Sequence, residues 1–433
     1  MSRRRRVAVT GIGLVTPVGN DVSTTWTALL EGRSGVAPIS IFDASGFSTR
    51  IAAEVKDFDA ASLGAERKLL KFANRSHRFA LGAAEQAMRD AGIAPTATTA
   101  TRWGCSVGTG MMGVAYEDLS AVQRHSAADG ELHADQLVSD PTAADPIVFC
   151  RSQSTAGLAL LTRRFGIHGY ATSVHTACAS GGQAIGTALK LIRRGSVDYA
   201  LAGGFDSMIS PVGLGGFCLL SAVSADNDAP QSASRPFDAT RNGFVLGEGA
   251  GFVVLEEWEA ARRRGAHIYA ELAGDGNSLS SYRITDSPPD GDGPIQSMRA
   301  ALKDAGAAPA DVDYINAHGT STGMNDRSES AAIHAVFGND AKRVSVSSTK
   351  SSMGHLIAAA GAVEVALCAL TIDRGEMPVN ANYREPDVDC DLNLVLESPR
   401  RQKVRMTLSN SFGFGGSNSC IVLRSPELVE QSP

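Results

Sequence analysis

TSVHTACASGGQAIGTALKLI, at residues 172–192, and VSSTKSSMGHLIAAAGAVEVALCAL, at residues 346–370, decide the fold of this chain. Each stretch is typical of a β-branched strand, a tight turn and a helix of small residues. A second pair of similar segments lies upstream in the same order: AMRDAGIAP at 87–95 and ALKDAGAAP at 301–309. Two matched pairs in one order predict a duplicated chain in which strands and helices alternate in α/β layers.

The spacing of these repeats predicts an insertion. The upstream pair is offset by 214 residues, whereas an alignment of Cys178 with His355 gives an offset of 177. The difference of 37 residues falls between GTG at 108–110 and the strand before Cys178. We therefore predict the following organisation: an N-terminal half over 1–262 with an insertion near 111–165, a C-terminal half over 263–424, and a disordered tail over 425–433.

Composition excludes several classes of protein. The chain has 433 residues, 43% of them apolar, and a net charge of -6. This acidic excess argues against nucleic acid or an anionic membrane as the main partner. No apolar segment follows the basic start Arg3–Arg6, so a secretory signal is not expected. The apolar stretch 356–372 is too short to span a bilayer and contains Glu364, which favours a buried helix of a soluble protein.

The cysteines indicate a reducing compartment. Seven are scattered along the chain, and no CxxC pair occurs. This pattern disfavours both a disulfide framework and a zinc site, and it predicts a cytoplasmic protein without a bound metal.

Cys178 lies where a strand is predicted to end and the first small-residue helix to begin. The free N–H groups and partial positive charge at a helix N-terminus stabilise a thiolate over a thiol. We therefore expect the pKa of Cys178 to fall and the residue to act as a nucleophile. The alternative is a buried cysteine that only fills space.

Two histidines occur beside glycines at strand or helix ends. His318 lies in NAHGTST, and His355 follows Gly354 at the start of the second small-residue helix. If the halves are related by a pseudo-twofold axis, both imidazoles reach Cys178. Two neutral imidazoles beside a cysteine suit hydrogen bonding to an oxyanion or enolate. A protease-like pair needs only one histidine, and Asp326 alone would not complete a metal site.

A glycine-rich loop lies between two predicted strands in LSNSFGFGGSNSCIVL, at 408–423. Its glycines let the backbone approach a ligand closely. The N–H of Phe414 could then pair with that of Cys178 as an oxyanion hole. A phosphate-binding role is disfavoured because no GK[ST] follows and the next element is a strand.

The motifs together resemble the elongating β-ketoacyl-acyl carrier protein synthases. The matching segments, in order, are VTGIGLVTPVG (9–19), TACASG (176–181), SRPFDATRNGFVLGEGAG (234–251), NAHGTST (316–322), the stretch with GHL and AAGAVE (349–364) and NSFGFGGSN (410–418). The resemblance covers about residues 7–424. It implies a thiolase-like fold, a five-layered α-β-α-β-α sandwich of two duplicated halves that is normally homodimeric.

The resemblance also assigns roles in decarboxylative condensation. Cys178 would accept an acyl chain from the phosphopantetheine of an acyl carrier protein. His318 and His355 would assist the decarboxylation of a malonyl thioester, and the amides of Cys178 and Phe414 would form the oxyanion hole. No cofactor other than the carrier-bound substrate is implied.

Further residues take supporting roles by the same resemblance. Lys350 and Glu364 match an ion pair that supports His355. The pocket residues are the gate Phe412, the pantetheine-binding Thr320 and Thr322, the weaker candidate Thr285, and Met111 at the depth of the acyl pocket. Core packing remains the alternative for Met111.

Acyl carrier proteins are acidic, so a basic docking patch is expected. Our candidates are Arg67, Lys68 and Lys71, whose alternative role is that of a solvated helix face.

Four departures from the family pattern leave the pathway open. They are TSTG at 320–323, KSSMGH at 350–355, RNGFV at 241–245 and GGSN at 415–418. None removes a catalytic side chain. Fatty-acid elongation therefore stands beside a ketosynthase subunit of a type II polyketide or polyene pathway, homodimeric or paired with a chain-length subunit. A non-catalytic chain-length partner is disfavoured because Cys178 is present, and a thiolase because no second cysteine lies in a C-terminal CxG context.

Overall fold

The computed structural model describes residues 4–63, 66–110, 114–128, 131–133, 145–285 and 287–430. The strands are β1 Val7–Val15, β2 Val36–Pro38, β3 Ile51–Ala53, β4 Trp103–Thr109, β5 Ala127–Ala128, β6 Glu131–Leu132, β7 Ala171–Val174, β8 Tyr199–Ser207, β9 Glu248–Glu257, β10 Ala270–Leu279, β11 Tyr314–Asn316, β12 Ser345–Ser347, β13 Glu376–Met377, β14 Arg400–Arg401, β15 Met406–Phe412 and β16 Ser417–Arg424. The helices are α1 Val22–Leu30, α2 Arg67–Leu70, α3 Arg75–Ala91, α4 Tyr116–Ser126, α5 Pro146–Ser152, α6 Ala156–Phe165, α7 Ser180–Arg193, α8 Pro211–Leu219, α9 Trp258–Arg263, α10 Asp292–Ala305, α11 Gly323–Phe337, α12 Lys350–Met353, α13 Ala360–Arg374 and α14 Pro426–Glu430.

The central sheet repeats one topology twice. Its order is β12-β11-β15-β16-β10-β1-β9-β8-β4-β7. Read outward from the middle, β1-β9-β8-β4-β7 and β10-β16-β15-β11-β12 share the same directions: two antiparallel pairings, then two parallel ones. The predicted duplication is therefore present in the fold. The halves are joined where β1 pairs antiparallel with β10, which makes one continuous sheet rather than two separate ones.

Five layers follow from where the helices pack. Helix α3 covers the outer face of β1 and β9, and α10 covers β10 and β16 on the other side. Helices α7 and α13 lie between the two halves of the sheet: α7 contacts β4 and β8 of one half and β10 of the other. Their buried apolar side chains, including Ile185, Leu189 and Leu367, belong to one core cluster. This arrangement confirms the α/β, thiolase-like fold class.

The central helices are built from small residues because their backbones touch. A Cβ on Gly361 of α13 would lie 2.8 Å from the backbone nitrogen of Gly182 and 2.6 Å from Ser411 Oγ. A Cβ on Gly181 of α7 would lie 2.6 Å from the backbone nitrogen of Ala362. Glycine therefore costs helix propensity here but permits the contact between α7 and α13.

The structure corrects the alignment of the two halves. Ala177 (φ 50°) precedes Cys178, and Ile357 (φ 48°) precedes Ala358, each in a one-turn 3₁₀ helix that leads into a central helix. The offset is therefore 357 − 177 = 180, and the counterpart of Cys178 is Ala358, not His355. The sequence alignment was wrong because a histidine and a cysteine are the more conspicuous residues of the two turns.

The remaining predictions of domain organisation concern the chain's connections and its end. The predicted boundary at 262/263 falls in the last turn of α9, before β10 begins the second half. The described part of the insertion near 111–165 carries α4, β5, β6, α5 and α6. The tail at 425–433 was predicted to be disordered, but its first residues form α14, with Lys403 and Glu427 in an ion pair.

The apolar stretch at 356–372 becomes part of α13, whose residues are buried from Ala360 to Ile372. Across the described residues, none of the helices combines the length and apolar character that crossing a bilayer would require. The prediction of a buried helix is therefore confirmed.

Gly361→Ala should destabilise the fold. The added Cβ would meet the backbone of α7, and such overpacking costs about 1–3 kcal/mol. Gly216→Ala is the matched control because Gly216 also lies in a helix, α8, with open space around its Cβ position. We expect urea unfolding to show a lower midpoint for Gly361→Ala and an unchanged or higher one for Gly216→Ala. Equal midpoints would contradict the close helix contact.

Candidate active site

Cys178 lies on a strained turn between β7 and α7. Ala177 adopts a left-handed conformation that costs free energy for a residue with a Cβ. Ser180 stabilises the turn, since its Oγ accepts a hydrogen bond from the Thr176 N–H at 2.8 Å and donates to the Ala177 carbonyl at 2.7 Å. The turn directs a buried thiol toward the other half of the chain.

The structure brings Cys178 together with both predicted histidines. His355 Nε2 lies 3.1 Å from Cys178 Sγ. The rings of His318 and His355 are edge to face with their centroids 5.2 Å apart. One ligand-type atom from each of the three residues lies within 4.8 Å of the other two, and all three are buried. Cys178 thus shares one chamber with two histidines that lie 140 and 177 positions further along the chain.

Backbone hydrogen bonds hold His355 and select its tautomer. The His355 N–H donates to the Val245 carbonyl at 2.7 Å, and the Ile357 N–H donates to His355 Nδ1 at 3.2 Å. A nitrogen that accepts a hydrogen bond carries no proton, so in the neutral ring the proton is on Nε2. His355 therefore donates its Nε2–H toward the sulfur of Cys178.

Glu329 of α11 holds the backbone of the His318 loop. Its carboxylate accepts the N–H groups of His318 at 2.8 Å and Gly319 at 2.7 Å, and Asn410 Nδ2 donates to it at 3.0 Å. Burial raises the pKa of Glu329 to about 7. His318 Nδ1 is buried without a hydrogen-bond partner among the described residues, which leaves the ring free to engage a ligand.

Lys350 and Glu364 form the ion pair expected from the resemblance. Lys350 Nζ bonds Glu364 Oε1, and both side chains are 1% exposed. Burial raises the pKa of Glu364 to about 7, although the charge of Lys350 opposes that rise. The pair therefore places a cation beside the chamber while its own charge is largely balanced.

Both histidines are neutral at physiological pH. Burial is the main cause that holds the pKa of His318 and of His355 well below the usual range, and the charge of Lys350 lowers both further. Neutral imidazoles can donate a hydrogen bond to a developing negative oxygen without first losing a proton.

The expected fall in the pKa of Cys178 does not occur. Burial raises the pKa of this thiol to about 11. The charge of Lys350 and the N–H groups of Phe414 and Cys178 lower it, but desolvation is larger. The prediction from the helix N-terminus was wrong in its net direction because it ignored the cost of burying the thiolate.

The oxyanion-hole candidates converge on the sulfur. The backbone N–H groups of Phe414 and Cys178 both act on the Cys178 sulfur. A Cβ on Gly413 would lie 3.1 Å from the Cys178 nitrogen, so glycine is needed for the loop to come this close. The two amides therefore point to the place where a thioester oxygen on Cys178 would lie.

The structure places some of the predicted pocket residues beside His318 but not all of them. Phe412 is buried, with its ring centroid 5.8 Å from that of His318. Thr320 and Thr322 share a hydrogen bond of 2.9 Å between their Oγ1 atoms beside the His318 loop. Thr285 is exposed. Met111 lies outside the described residues.

The basic candidates Arg67, Lys68 and Lys71 are all exposed, on and directly after α2.

Asp326, which was considered as a metal ligand, instead accepts the N–H groups of Phe237 at 2.8 Å and Thr320 at 2.9 Å. It does not belong to the Cys–His–His cluster.

Sequence reasoning missed the carboxylates that hold the site. Glu329 holds the His318 loop, and Asp206 accepts the Ala358 N–H at 3.1 Å. Glu329 gave no signal in the sequence, since it lies among polar residues in α11, in NDRSES at 325–330. Asp206 could have been noticed as the one charged residue of the strand YALAGGFDS.

Comparisons with known proteins agree with this geometry. The family model of the beta-ketoacyl synthase N-terminal domain matches residues 4–261, and that of the C-terminal domain matches residues 269–384. The chain belongs to the β-ketoacyl synthase family. The recognition from sequence motifs, the enzyme class and the predicted reaction class are thereby confirmed.

Relatives come from two kinds of pathway. The 3-oxoacyl-[acyl-carrier-protein] synthase 2 of Coxiella burnetii is 42% identical over 420 residues, 97% of this chain and 98% of that protein. The tetracenomycin polyketide synthase ketoacyl synthase alpha subunit of Streptomyces glaucescens is 40% identical over 423 residues, 98% of both chains.

Two solved structures share the fold over nearly the whole chain. One is the ishigamide ketosynthase/chain length factor, with a TM-score of 0.87 and 34% identity, covering 98% of this chain and 100% of that chain. The other is a type II polyketide acyl-carrier protein in complex with its ketosynthase bound to the hexaketide, with a TM-score of 0.86, 34% identity and the same coverage.

Removing the buried ion pair should make Cys178 less reactive. Because the charge of Lys350 lowers the pKa of the Cys178 thiol, the double substitution Lys350→Met/Glu364→Gln should raise that pKa further. The second change avoids an unpaired buried carboxylate. We expect the pH profile of Cys178 alkylation by iodoacetamide to move to higher pH. The exposed Cys150 in the same sample is an internal control whose profile should not move. A Cys178 profile that stays in place or moves to lower pH would contradict the role of Lys350.

Proposed function

We propose that this chain is a 3-oxoacyl-acyl carrier protein synthase in which Cys178 is the nucleophile. The contact between Cys178 Sγ and His355 Nε2 at 3.1 Å, with His318 beside both, is the observation that carries the proposal. The substrates are an acyl group and a malonyl group, each bound as a thioester to the phosphopantetheine of a carrier protein. No resident cofactor or metal takes part in the proposed reaction.

The first half-reaction is a thioester exchange. The sulfur of Cys178 attacks the acyl carbonyl, the bond to the pantetheine sulfur breaks, and the leaving thiol receives the proton that Cys178 gives up. The amides of Cys178 and Phe414 stabilise the negative oxygen of the tetrahedral intermediate. Because the resting thiol has a raised pKa, the hydrogen bond from His355 and the charge of Lys350 supply stabilisation that the attacking sulfur needs.

The second half-reaction forms the new carbon–carbon bond. The malonyl carboxylate leaves as carbon dioxide, and its bonding electrons form the enolate of the carrier-bound thioester. Neutral His318 and His355 donate hydrogen bonds to the enolate oxygen. The enolate carbon attacks the acyl carbonyl on Cys178, whose sulfur leaves and is then reprotonated. The product is a 3-oxoacyl thioester.

Two pathways are candidates for this reaction. Chain elongation in fatty acid synthesis is the first candidate, since relatives named 3-oxoacyl-[acyl-carrier-protein] synthase 2 reach 42% identity. A ketosynthase of a type II polyketide or polyene pathway is the second, supported by the 40% identical tetracenomycin subunit and by the four motif departures. An intact nucleophile and both histidines argue against a non-catalytic partner subunit.

The sheet edge supports a dimer. Strand β7 ends the sheet, and its residues are exposed or half-buried, whereas β12 at the opposite edge is fully buried. An exposed strand edge pairs readily with another strand, and pairing of two β7 strands about a twofold axis would continue the sheet. We propose a homodimer, with a chain-length subunit as the alternative partner, and a cytoplasmic location.

Product masses test the proposed reaction. The purified protein is incubated with malonyl-carrier protein and a panel of acyl-carrier proteins, and we expect 3-oxoacyl products two carbons longer than the acyl substrate. Single extensions of saturated chains favour fatty-acid elongation, whereas repeated extension without reduction favours a polyketide pathway.

Cys178→Gln should separate the two half-reactions. We expect condensation to fall by about three orders of magnitude or more, whereas malonyl decarboxylation persists because both histidines remain. Cys150→Ser, at an exposed cysteine, should condense at the wild-type rate. Condensation by Cys178→Gln, or loss of activity in Cys150→Ser alone, would contradict the assignment of the nucleophile.

The proposed docking patch can be tested by charge reversal. The triple change Arg67→Glu/Lys68→Glu/Lys71→Glu should raise the KM for an acidic acyl-carrier protein by about tenfold, with little change in kcat. Because exposed charges are screened, the difference should shrink at high salt. Arg263→Glu, at an exposed cation of α9, is the control. Equal KM values for the two variants would remove these residues from the docking surface.

A further inference from the structure

The two strained turns share a backbone geometry but satisfy their amide groups differently. In the first half, the N–H of Cys178 faces its own sulfur beside the N–H of Phe414. In the second half, the equivalent N–H of Ala358 donates to Asp206 Oδ2 at 3.1 Å. A carboxylate thus takes the place at the N-terminus of α13 that an oxyanion would take at the N-terminus of α7.

Asp206 is built into this position. It is 5% exposed at the end of β8, and its Oδ1 also accepts the Ser207 N–H at 2.8 Å. A Cβ on Gly110 would lie 2.4 Å from either carboxylate oxygen, so only glycine leaves room for the carboxylate. The Ala358 carbonyl is enclosed as well, because a Cβ on Gly204 would come within 2.8 Å of it.

The turn that Asp206 holds also orients His355. Ile357 adopts φ 48°, a strained conformation for a residue with a branched side chain. Its N–H is the donor to His355 Nδ1. Loss of the adjacent Ala358 hydrogen bond would let the turn relax, and the ring would lose the contact that keeps its proton on Nε2.

A buried carboxylate, that of Glu248, supports the end of β8 that carries Asp206. Ser207 Oγ donates to Glu248 Oε2 at 2.7 Å, and Arg75 Nε donates to the same oxygen at 2.8 Å. Glu248 also accepts the Val55 N–H at 2.9 Å and is fully buried. The sequence of contacts therefore runs from α3 through Glu248, Ser207 and Asp206 to the turn beside His355.

We propose that Asp206 is a positioning residue for the condensing reaction: its carboxylate holds the Ile357–Ala358 turn and thereby keeps the Nε2–H of His355 directed at Cys178. The inference rests on the proposed function for the role of His355, but the contacts that hold the turn do not depend on it.

A double-mutant cycle tests the inference. Asp206→Ala should lower kcat for malonyl decarboxylation by about tenfold or more, with KM nearly unchanged, because the substrate still binds but one donor is misplaced. In a His355→Ala background, Asp206→Ala should cause no further loss, since residues that act through one another are not additive. Asp313→Ala is the matched control: Asp313 is a buried carboxylate that accepts a backbone N–H from Arg405 at 2.7 Å, at the end of β11 away from His318.

Two results of this cycle would overturn the proposal. One is an equal kcat for Asp206→Ala and Asp313→Ala. The other is that Asp206→Ala lowers kcat by the same factor in the His355→Ala background as in the wild-type protein. If Asp206→Ala does not fold, Asp206→Asn replaces it in both arms; it keeps one acceptor oxygen and should show a smaller loss of the same kind.

Alkylation of Cys178 separates this inference from the proposed function. If the wild-type protein does not decarboxylate malonyl-carrier protein, the proposed function fails. The rate of Cys178 alkylation by iodoacetamide still shows whether the turn holds the His355 donor against the sulfur. The negative charge of Asp206 by itself raises the pKa of Cys178, so a purely electrostatic role predicts faster alkylation in Asp206→Ala. The positioning role predicts slower alkylation, because the sulfur anion loses the His355 donor. Faster alkylation would therefore contradict it.

Discussion

The backbone contact between helices α7 and α13 is the constraint on which the site depends. Gly181 and Gly361 let the two helices approach until a single Cβ would collide with the neighbouring backbone. Each helix begins in a strained turn, and the contact brings both turns to one chamber at the centre of the sheet. Without that approach, the Cys178 sulfur and the His355 ring would lie in separate halves.

In the chamber, neutral side chains donate the hydrogen bonds and a separate ion pair supplies the positive charge. Burial keeps His318 and His355 neutral, so both can donate to an enolate oxygen. The same burial makes the thiolate of Cys178 costly, and Lys350 together with two backbone amides offsets part of that cost. A site with three neutral reacting side chains and one balanced ion pair can therefore accommodate anions that exist only briefly.

Much of this could be predicted from the sequence. Small residues after Cys178 and before Glu364 indicated two buried helices, and the repeated segments indicated a duplicated sheet. The family motifs brought together Cys178, His318 and His355 correctly. The residue-by-residue alignment of the two halves could not be predicted, because nothing about an alanine marks Ala358 as the counterpart of Cys178. Only the shared backbone conformation at Ala177 and Ile357 reveals that alignment.

The contacts of the supporting carboxylates were also beyond sequence reasoning. Glu329 accepts backbone N–H groups from residues 10 and 11 positions away, and Asp206 accepts one from a residue 152 positions away. No spacing rule relates those positions. The prediction that the pKa of Cys178 falls was wrong for a similar reason. It depends on how completely the thiol is buried, which is a property of the assembled halves and not of the helix that follows the cysteine.

The most direct test of this account is to locate the acyl group after a single transfer. The protein is incubated with acyl-carrier protein in the absence of the malonyl substrate, digested, and each cysteine-containing peptide is weighed by mass spectrometry. We expect the mass of one acyl group on the peptide that contains Cys178 and on no other. An acyl group found on another cysteine, or a Cys178 peptide that remains unmodified while the carrier protein loses its acyl chain, would contradict the assignment of Cys178 as the nucleophile.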